Sequence, residues 1–289
     1  MIRVNTKNKV KKMQVNLPRE VFIVSDGTGI TAETFSQSIL AQFEISFRII
    51  RKPFINTVEK ATQVVDEINK VSNSKKILPV VFSTLVKPEI NLKISQADCI
   101  IIDMFKNCIS PLEKSLKLKS NHTIGLFHNN ANTQSYKNRI HSINYSLAHD
   151  DGQASANLQN AEIVLVGVSR SGKTPTCLYL AVQFGMKTAN YPLTPDELEK
   201  KELPDDLLKI KDKVYGLTID PVRLSEIRHE RLPNSKYATL QNCKFEVQKA
   251  EYLMKINKIE FLSVTNKSIE EVASTLLQKF NPEVISTKE

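Results

Sequence analysis

The run Gly167-Val168-Ser169-Arg170-Ser171-Gly172-Lys173-Thr174 follows directly on the apolar Ile163-Val164-Leu165-Val166, and helical patterning continues from Lys173 to Phe184. A buried strand, a glycine-bearing turn and a helix in that order make one βα unit, which commits the second half of the chain to an α/β architecture. Gly167 and Gly172 let the backbone turn tightly, so that its N–H groups converge on an anion. The start of the helix adds partial positive charge. Lys173 reaches terminal phosphates as a point charge, and the Thr174 hydroxyl is the expected Mg²⁺ ligand. Pro175 is tolerated because a first-turn residue has no intrahelical N–H bond to lose. The whole run, including Val168, Ser169 and Ser171, is therefore expected to cradle a nucleotide's phosphates. Arg170 either adds charge against a polyphosphate or points into solvent. With only eight glycines in 289 residues, the spacing does not arise from glycine abundance.

Strand and helix signals alternate on both sides of this loop. In the first half, Val21 to Val24 reads as a buried strand, and Phe35, Ile39 and Phe43 recur at helical spacing after Thr31. Ile45 to Ile50 alternates like a strand. Val58, Ala61, Val65 and Ile68 share a helical face. Ile77 to Val86 is a β-rich run, Pro88 opens a helix, and Cys99 to Ile102 is a further strand. In the second half, strands are expected at 162–168, 187–193, 214–219 and 259–264. Helices are expected at 173–184, 221–231, 243–258 and 268–280, the last with a Ser268/Glu271 capping box. Residues 118–160 are polar, with little periodicity apart from a short stretch near Tyr145. These patterns predict a basic flexible tail at 1–18, an N-terminal α/β domain with a polar linker at 19–155, and a C-terminal P-loop α/β domain at 156–289. Each domain should hold a largely parallel sheet.

Charge is unevenly distributed. Residues 1–20 contribute six basic side chains against Glu20 alone, a net +5 of the chain's +9. The remainder is only mildly basic and has no aromatic-interleaved basic stripe, which argues against nucleic-acid binding. No run approaches the ~20 apolar residues of a membrane helix. The basic N-terminus lacks the apolar segment of a secretory signal. Cys99, Cys108, Cys177 and Cys243 form no CxxC pair and read as small buried thiols of a cytoplasmic protein.

Three further features could carry chemistry. Asp220 ends the strand-like Val214-Tyr215-Gly216-Leu217-Thr218-Ile219, where a Mg²⁺-linked carboxylate is expected, yet it precedes Pro221 and could instead start the next helix. Asp26, in Ser25-Asp26-Gly27-Thr28-Gly29, sits between a strand and a helix, either as a second anion or acid–base site or as a tight turn. His149 precedes Asp150-Asp151-Gly152, as an acid–base or metal group or as an exposed turn. His229 reads as a solvated helix residue. Thr265-Asn266-Lys267-Ser268 lacks the aspartate that a guanine-reading motif requires.

Several stretches occur together and in order from about residue 20 to 282. They are Ser25 to Glu33, Tyr145 to Gly152, Gly167 to Thr176, Tyr179-Leu180-Ala181, Ala189 to Pro192, Gly216 to Pro221, Arg223-Leu224, Arg228 and Asn234 to Ala238. Together they resemble the bacterial phosphoenolpyruvate synthase regulatory proteins, relatives of the pyruvate,phosphate dikinase regulatory proteins. The resemblance implies a bifunctional enzyme that phosphorylates a threonine of the synthase with ADP as donor. It also implies the reverse, with inorganic phosphate as acceptor and pyrophosphate as product. Under it, Lys173 and Arg170 neutralise the transferring phosphoryl group, Thr174 and Asp220 hold Mg²⁺, and Asp26 or His149 handles the threonine proton. A homodimer is compatible with the sequence. Other readings are a dikinase-directed regulator, a P-loop kinase of a small metabolite and a non-catalytic nucleotide-binding module.

Overall fold

A computed structural model describes residues 18–121, 134–150, 155–200 and 202–280. The basic tail and the Asp151-Gly152 pair therefore lie outside the described residues. The chain divides into two compact units, 1–129 and 130–289.

In the first unit, β1 (Arg19–Ser25), β2 (Phe47–Lys52), β3 (Val80–Thr84) and β4 (Ile100–Asp103) form a sheet in the order β2-β1-β3-β4. Every pairing is parallel. The crossovers run through α1 (Ile30–Leu40), α2 (Val58–Lys75) and α3 (Pro88–Ile94), and α4 (Met104–Leu116) follows β4. Both faces of β1 are apolar because helices cover both sides. Phe22 and Val24 pack with Val64, Ile68 and Ile90 on one face, while Val21 and Ile23 meet Ala32, Leu40 and Phe82 on the other.

The second unit repeats the arrangement. Its strands β5 (Ile163–Gly167), β6 (Thr188–Pro192), β7 (Val214–Thr218) and β8 (Phe261–Ser263) lie in the order β6-β5-β7-β8 and are also all parallel. Its main helices are α5 (Gln134–Ala148), α6 (Lys173–Phe184), α7 (Pro221–Arg231), α8 (Leu240–Ile256) and α9 (Ile269–Phe280). Val164 and Val166 face a core shared with Val247, Leu253 and Met254, and Ile163 and Leu165 face one shared with Leu180, Leu276 and Leu277. The capping box forms as expected: the Ser268 N–H donates to Glu271 Oε2 at 2.8 Å, and the Glu271 N–H to Ser268 Oγ at 3.2 Å. Two parallel-sheet α/β units are thus the fold expected from the alternation of signals.

Three features depart from the sequence reading. Helix α4 was not anticipated: it contains Pro111 and buries none of its residues. Most of α5 likewise falls in the stretch read as polar and aperiodic, for a reason that bears on the site. Among the cysteines, Cys177 and Cys243 are buried and Cys99 half-buried, but Cys108 is exposed on α4, correcting the expectation of uniformly buried thiols. All four are free.

Candidate functional site

Strand β5 delivers the chain into the loop at Gly167, whose φ is +153°. A side chain there would run into the Leu217 carbonyl of β7, so the close approach of the two strands demands glycine. The Leu193 N–H bonds the Gly167 carbonyl at 3.0 Å, and the Ser171 hydroxyl bonds the Val168 carbonyl at 2.9 Å. Arg170 adopts φ +74°, an uncommon conformation for a residue with a side chain. Gly172, with φ +78°, is the N-cap of α6 and supplies no side-chain cap. The first-turn N–H groups of α6 are thus left to a ligand, as an anion site requires. By contrast, the same position on α7 is closed by Asp220.

Lys173 is buried, and its ammonium bonds the Val168 carbonyl at 2.7 Å across the loop. The Thr174 hydroxyl donates to Asp150 Oδ1 at 2.8 Å. The Asn190 amide of β6 donates to the same carboxylate oxygen at 2.7 Å and to Thr174 Oγ1 at 2.9 Å. Asn190 Oδ1 is a buried oxygen with no partner among the described residues. These groups line a cavity of about 760 Å³ with Arg170, Arg231 and Tyr237.

Helix α5 brings Asp150 to this place. Tyr145 packs against the core, and otherwise the helix meets its neighbours through hydroxyls. Ser142 Oγ donates to the Gly185 carbonyl at 2.6 Å, and Ser146 Oγ meets Thr188 Oγ1 at 2.9 Å. Small hydrogen-bonded side chains let the helix approach α6 and β6 closely, and both serines are buried. At its end, the His149 carbonyl accepts the Asn190 N–H at 3.0 Å. His149 stacks on Tyr145, their ring centroids 3.9 Å apart, and its Nδ1 faces the Tyr145 carbonyl at 2.8 Å. His149 is buried, and among the described residues its Nε2 has no partner.

A second support is Arg228, fully buried beneath the loop. Its guanidinium donates to the Ser169 carbonyl at 3.0 Å, to the Tyr237 carbonyl at 3.0 Å and to Glu246 at 2.6 Å. It also stacks on the Tyr237 ring at 3.9 Å, and the Tyr237 hydroxyl donates to Ser169 Oγ at 3.0 Å. Residue types alone give no sign of this brace, because a buried arginine on a charged helix looks like a solvated one.

Asp220 is exposed, and its Oδ1 accepts the Val222 and Arg223 N–H groups at 2.8 and 3.1 Å, capping α7. The carboxylate bonded to Thr174 is Asp150, which the sequence reading grouped with His149 and Asp151 and did not join to this threonine. Among the described residues no three acidic, histidine or cysteine side chains cluster as a metal site. A phosphate-bound Mg²⁺ does not require one, since one or two carboxylates suffice beside phosphate and water oxygens. Thr174 Oγ1, Asp150 Oδ1 and the orphaned Asn190 Oδ1 are the hard oxygen donors such an ion takes.

Asp26 belongs to the first unit. It lies in the loop after β1 and accepts the Val86 N–H at 2.8 Å on Oδ2. Burial pushes its carboxyl above the usual carboxylate range, against the downward pull of the Val86 N–H and the Lys87 cation. Gly29 caps α1 with φ +80° and no side-chain cap, matching Gly172 at α6.

The chain is an α/β protein whose second parallel sheet carries a glycine-bearing, uncapped strand-to-helix loop with a buried lysine. The chain matches the Kinase/pyrophosphorylase family over residues 21–277 and belongs to it. It is 60% identical over 265 residues to a protein of Ralstonia nicotianae named "Putative phosphoenolpyruvate synthase regulatory protein", covering 92% of this chain and 95% of that one. Proteins of the same name from Cupriavidus pinatubonensis and Burkholderia mallei are 59% and 53% identical, over 90% and 91% of this chain and 87% and 97% of theirs. Among the described residues no helix is long and apolar enough to cross a membrane.

Proposed function

We propose that this chain regulates phosphoenolpyruvate synthase by reversible phosphorylation of a threonine. In the forward direction the threonine Oγ attacks the β-phosphorus of ADP, the bond to the α-phosphate oxygen breaks, AMP leaves and the threonine proton passes to a base. In reverse, an oxygen of inorganic phosphate attacks the phosphothreonine phosphorus, the bond to the threonine Oγ breaks, pyrophosphate is formed and released, and the threonine oxygen regains a proton. One loop can serve both directions because each transfers a phosphoryl group bonded to a second phosphate or to threonine at the same point. Such transfers need positioning and charge neutralisation more than covalent chemistry.

The observation that carries this reading is the set Lys173, Thr174, Asp150 and Asn190 gathered at the uncapped start of α6, in a chain of the Kinase/pyrophosphorylase family. Lys173 and Arg170 would neutralise the transferring group, and the backbone from Gly167 to Thr174 would hold its oxygens. Thr174 and Asp150 would hold Mg²⁺, which supplies charge neutralisation when bound, while Asp220 keeps its helix-capping role. The proton acceptor is assigned to His149, whose Nε2 has no partner among the described residues; Asp26, the other group the sequence singles out, belongs to the first unit.

The test is incubation of the purified chain with phosphoenolpyruvate synthase and ADP, then with phosphate. Phosphothreonine and AMP should form first, and pyrophosphate second. Failure of both transfers would sink the proposal, and transfer from ATP to a small metabolite without synthase would replace it with a metabolite kinase.

A further inference from the structure

Two cavities flank the loop in the second unit and share Arg170, Gly172 and Ile227 as a wall. The larger is the polar one described above. The smaller, of about 250 Å³, has a different chemistry: Ile219, Ile227, Val264, Ile269 and Val272 give it aliphatic walls. Lys267 and Arg223 supply cations there, and Thr176 and Thr265 supply hydroxyls. Its edge is fixed before any ligand arrives. The Val264 N–H bonds the Thr218 carbonyl at 2.8 Å, and the Asp220 N–H bonds Thr265 Oγ1 at 2.8 Å. Val264 also stands against the loop, since a Cβ on Gly172 would meet its Cγ2 at 4.0 Å.

Building on the proposed function, we infer that the smaller cleft is the nucleoside subsite and the larger cavity receives the phosphoacceptor. An in-line displacement places the attacking and leaving oxygens on opposite sides of phosphorus. A loop that holds the phosphoryl group at Lys173 therefore needs one opening for each. A flat heteroaromatic base gains from aliphatic walls with a few polar groups at the rim, which is the make-up of the smaller cleft. The larger cavity offers a carboxylate, a carboxamide and the guanidinium of Arg231. Those groups suit an incoming hydroxyl that needs polar partners or a phosphate that must be neutralised. Arg170 stands between the two openings, and Arg228 pins the Ser169 carbonyl just before it.

Calorimetric titration of the intact chain with ADP and, separately, with pyrophosphate tests this. Val264→Trp and Ile269→Trp, which fill the cleft, should each lower ADP affinity about tenfold, ~1.4 kcal/mol, while changing pyrophosphate affinity less than about twofold. Arg231→Ala should leave ADP affinity within about twofold and slow phosphoryl transfer to the synthase about tenfold. Unchanged ADP affinity in both tryptophan variants overturns the subsite, as does an equal loss for ADP and pyrophosphate. Loss of ADP affinity alone in Arg231→Ala would place the nucleoside in the larger cavity and overturn it as well. If the wild-type chain binds neither ligand, the reading of the loop itself fails first, and the subsite with it.

Discussion

At the residue scale, the contact that organises the candidate site is the hydrogen bond from Thr174 to Asp150. Asp150→Asn preserves an acceptor for Thr174 and for the fold, but removes the negative charge that would hold a cation. Phosphoryl transfer should fall about a hundredfold, while unfolding free energy changes by less than about 1 kcal/mol. Denaturant titration beside a transfer assay checks both halves. Lys173→Ala should abolish pyrophosphate binding and both transfers, because nothing else in the loop supplies a buried ammonium; wild-type rates in either direction would refute a shared site. Asp26 makes a prediction of a different kind. Its carboxyl is raised, so the fold favours the protonated form. The stability it contributes is full below its unfolded value near 3.8 and declines as pH rises through the raised folded value. Asp26→Asn keeps an oxygen for the Val86 N–H and removes the titration. The variant's melting temperature should therefore climb relative to wild type as pH rises from the unfolded value near 3.8 through the raised folded one, with the gap constant once the folded carboxyl is ionised. If His149→Ala leaves transfer intact in both directions, the proton-acceptor assignment fails.

At the scale of elements, the loop and its flanking strand and helix were legible because each signal agrees with the next. Apolar Ile163 to Val166, glycine at two of the loop's three positions with positive φ, and a helix opening at Lys173 all point to one local structure. Gly167 is the strictest of them. Gly167→Ala forces a methyl group against the Leu217 carbonyl and should destabilise the second unit by about 3 kcal/mol while abolishing pyrophosphate binding. Denaturation curves with and without pyrophosphate would show both effects, and a stable variant that still binds would contradict the geometry. The element that brings Asp150 to the loop was largely illegible, and the reason is physical. Hydrophobic periodicity finds helices that bury apolar stripes, but α5 buries Ser142, Ser146 and its flanking His149 through hydrogen bonds. Nor could the pairing of Thr174 with Asp150, rather than with the strand-end Asp220, be read from spacing. It depends on where α5 meets β6, which only the packing of hydroxyls against Gly185 and Thr188 determines.

At the scale of the whole molecule, two sheets of the same strand order each carry cores on both faces. Those cores are built from different residues: Phe22, Val24, Ile68 and Ile90 in the first unit, and Val164, Val166, Val247 and Leu253 in the second. A unit with its own two-sided core can unfold as its own cooperative block. The sheets are alike, but the loops at their first strands differ in charge. Gly167 to Thr174 carries Arg170 and Lys173, whereas Ser25 to Gly29 carries Asp26 and no cation. An anion should therefore stabilise only the second unit. Scanning calorimetry of the intact chain should resolve two transitions. Pyrophosphate at a hundred times its dissociation constant should raise one of them by the equivalent of about 2.7 kcal/mol and leave the other in place. Lys173→Ala should remove that shift without moving the insensitive transition. A single transition that moves as a whole would mean that the units unfold together, and a shift confined to the transition lost in a chain truncated to residues 130–289 would put the anion in the wrong unit.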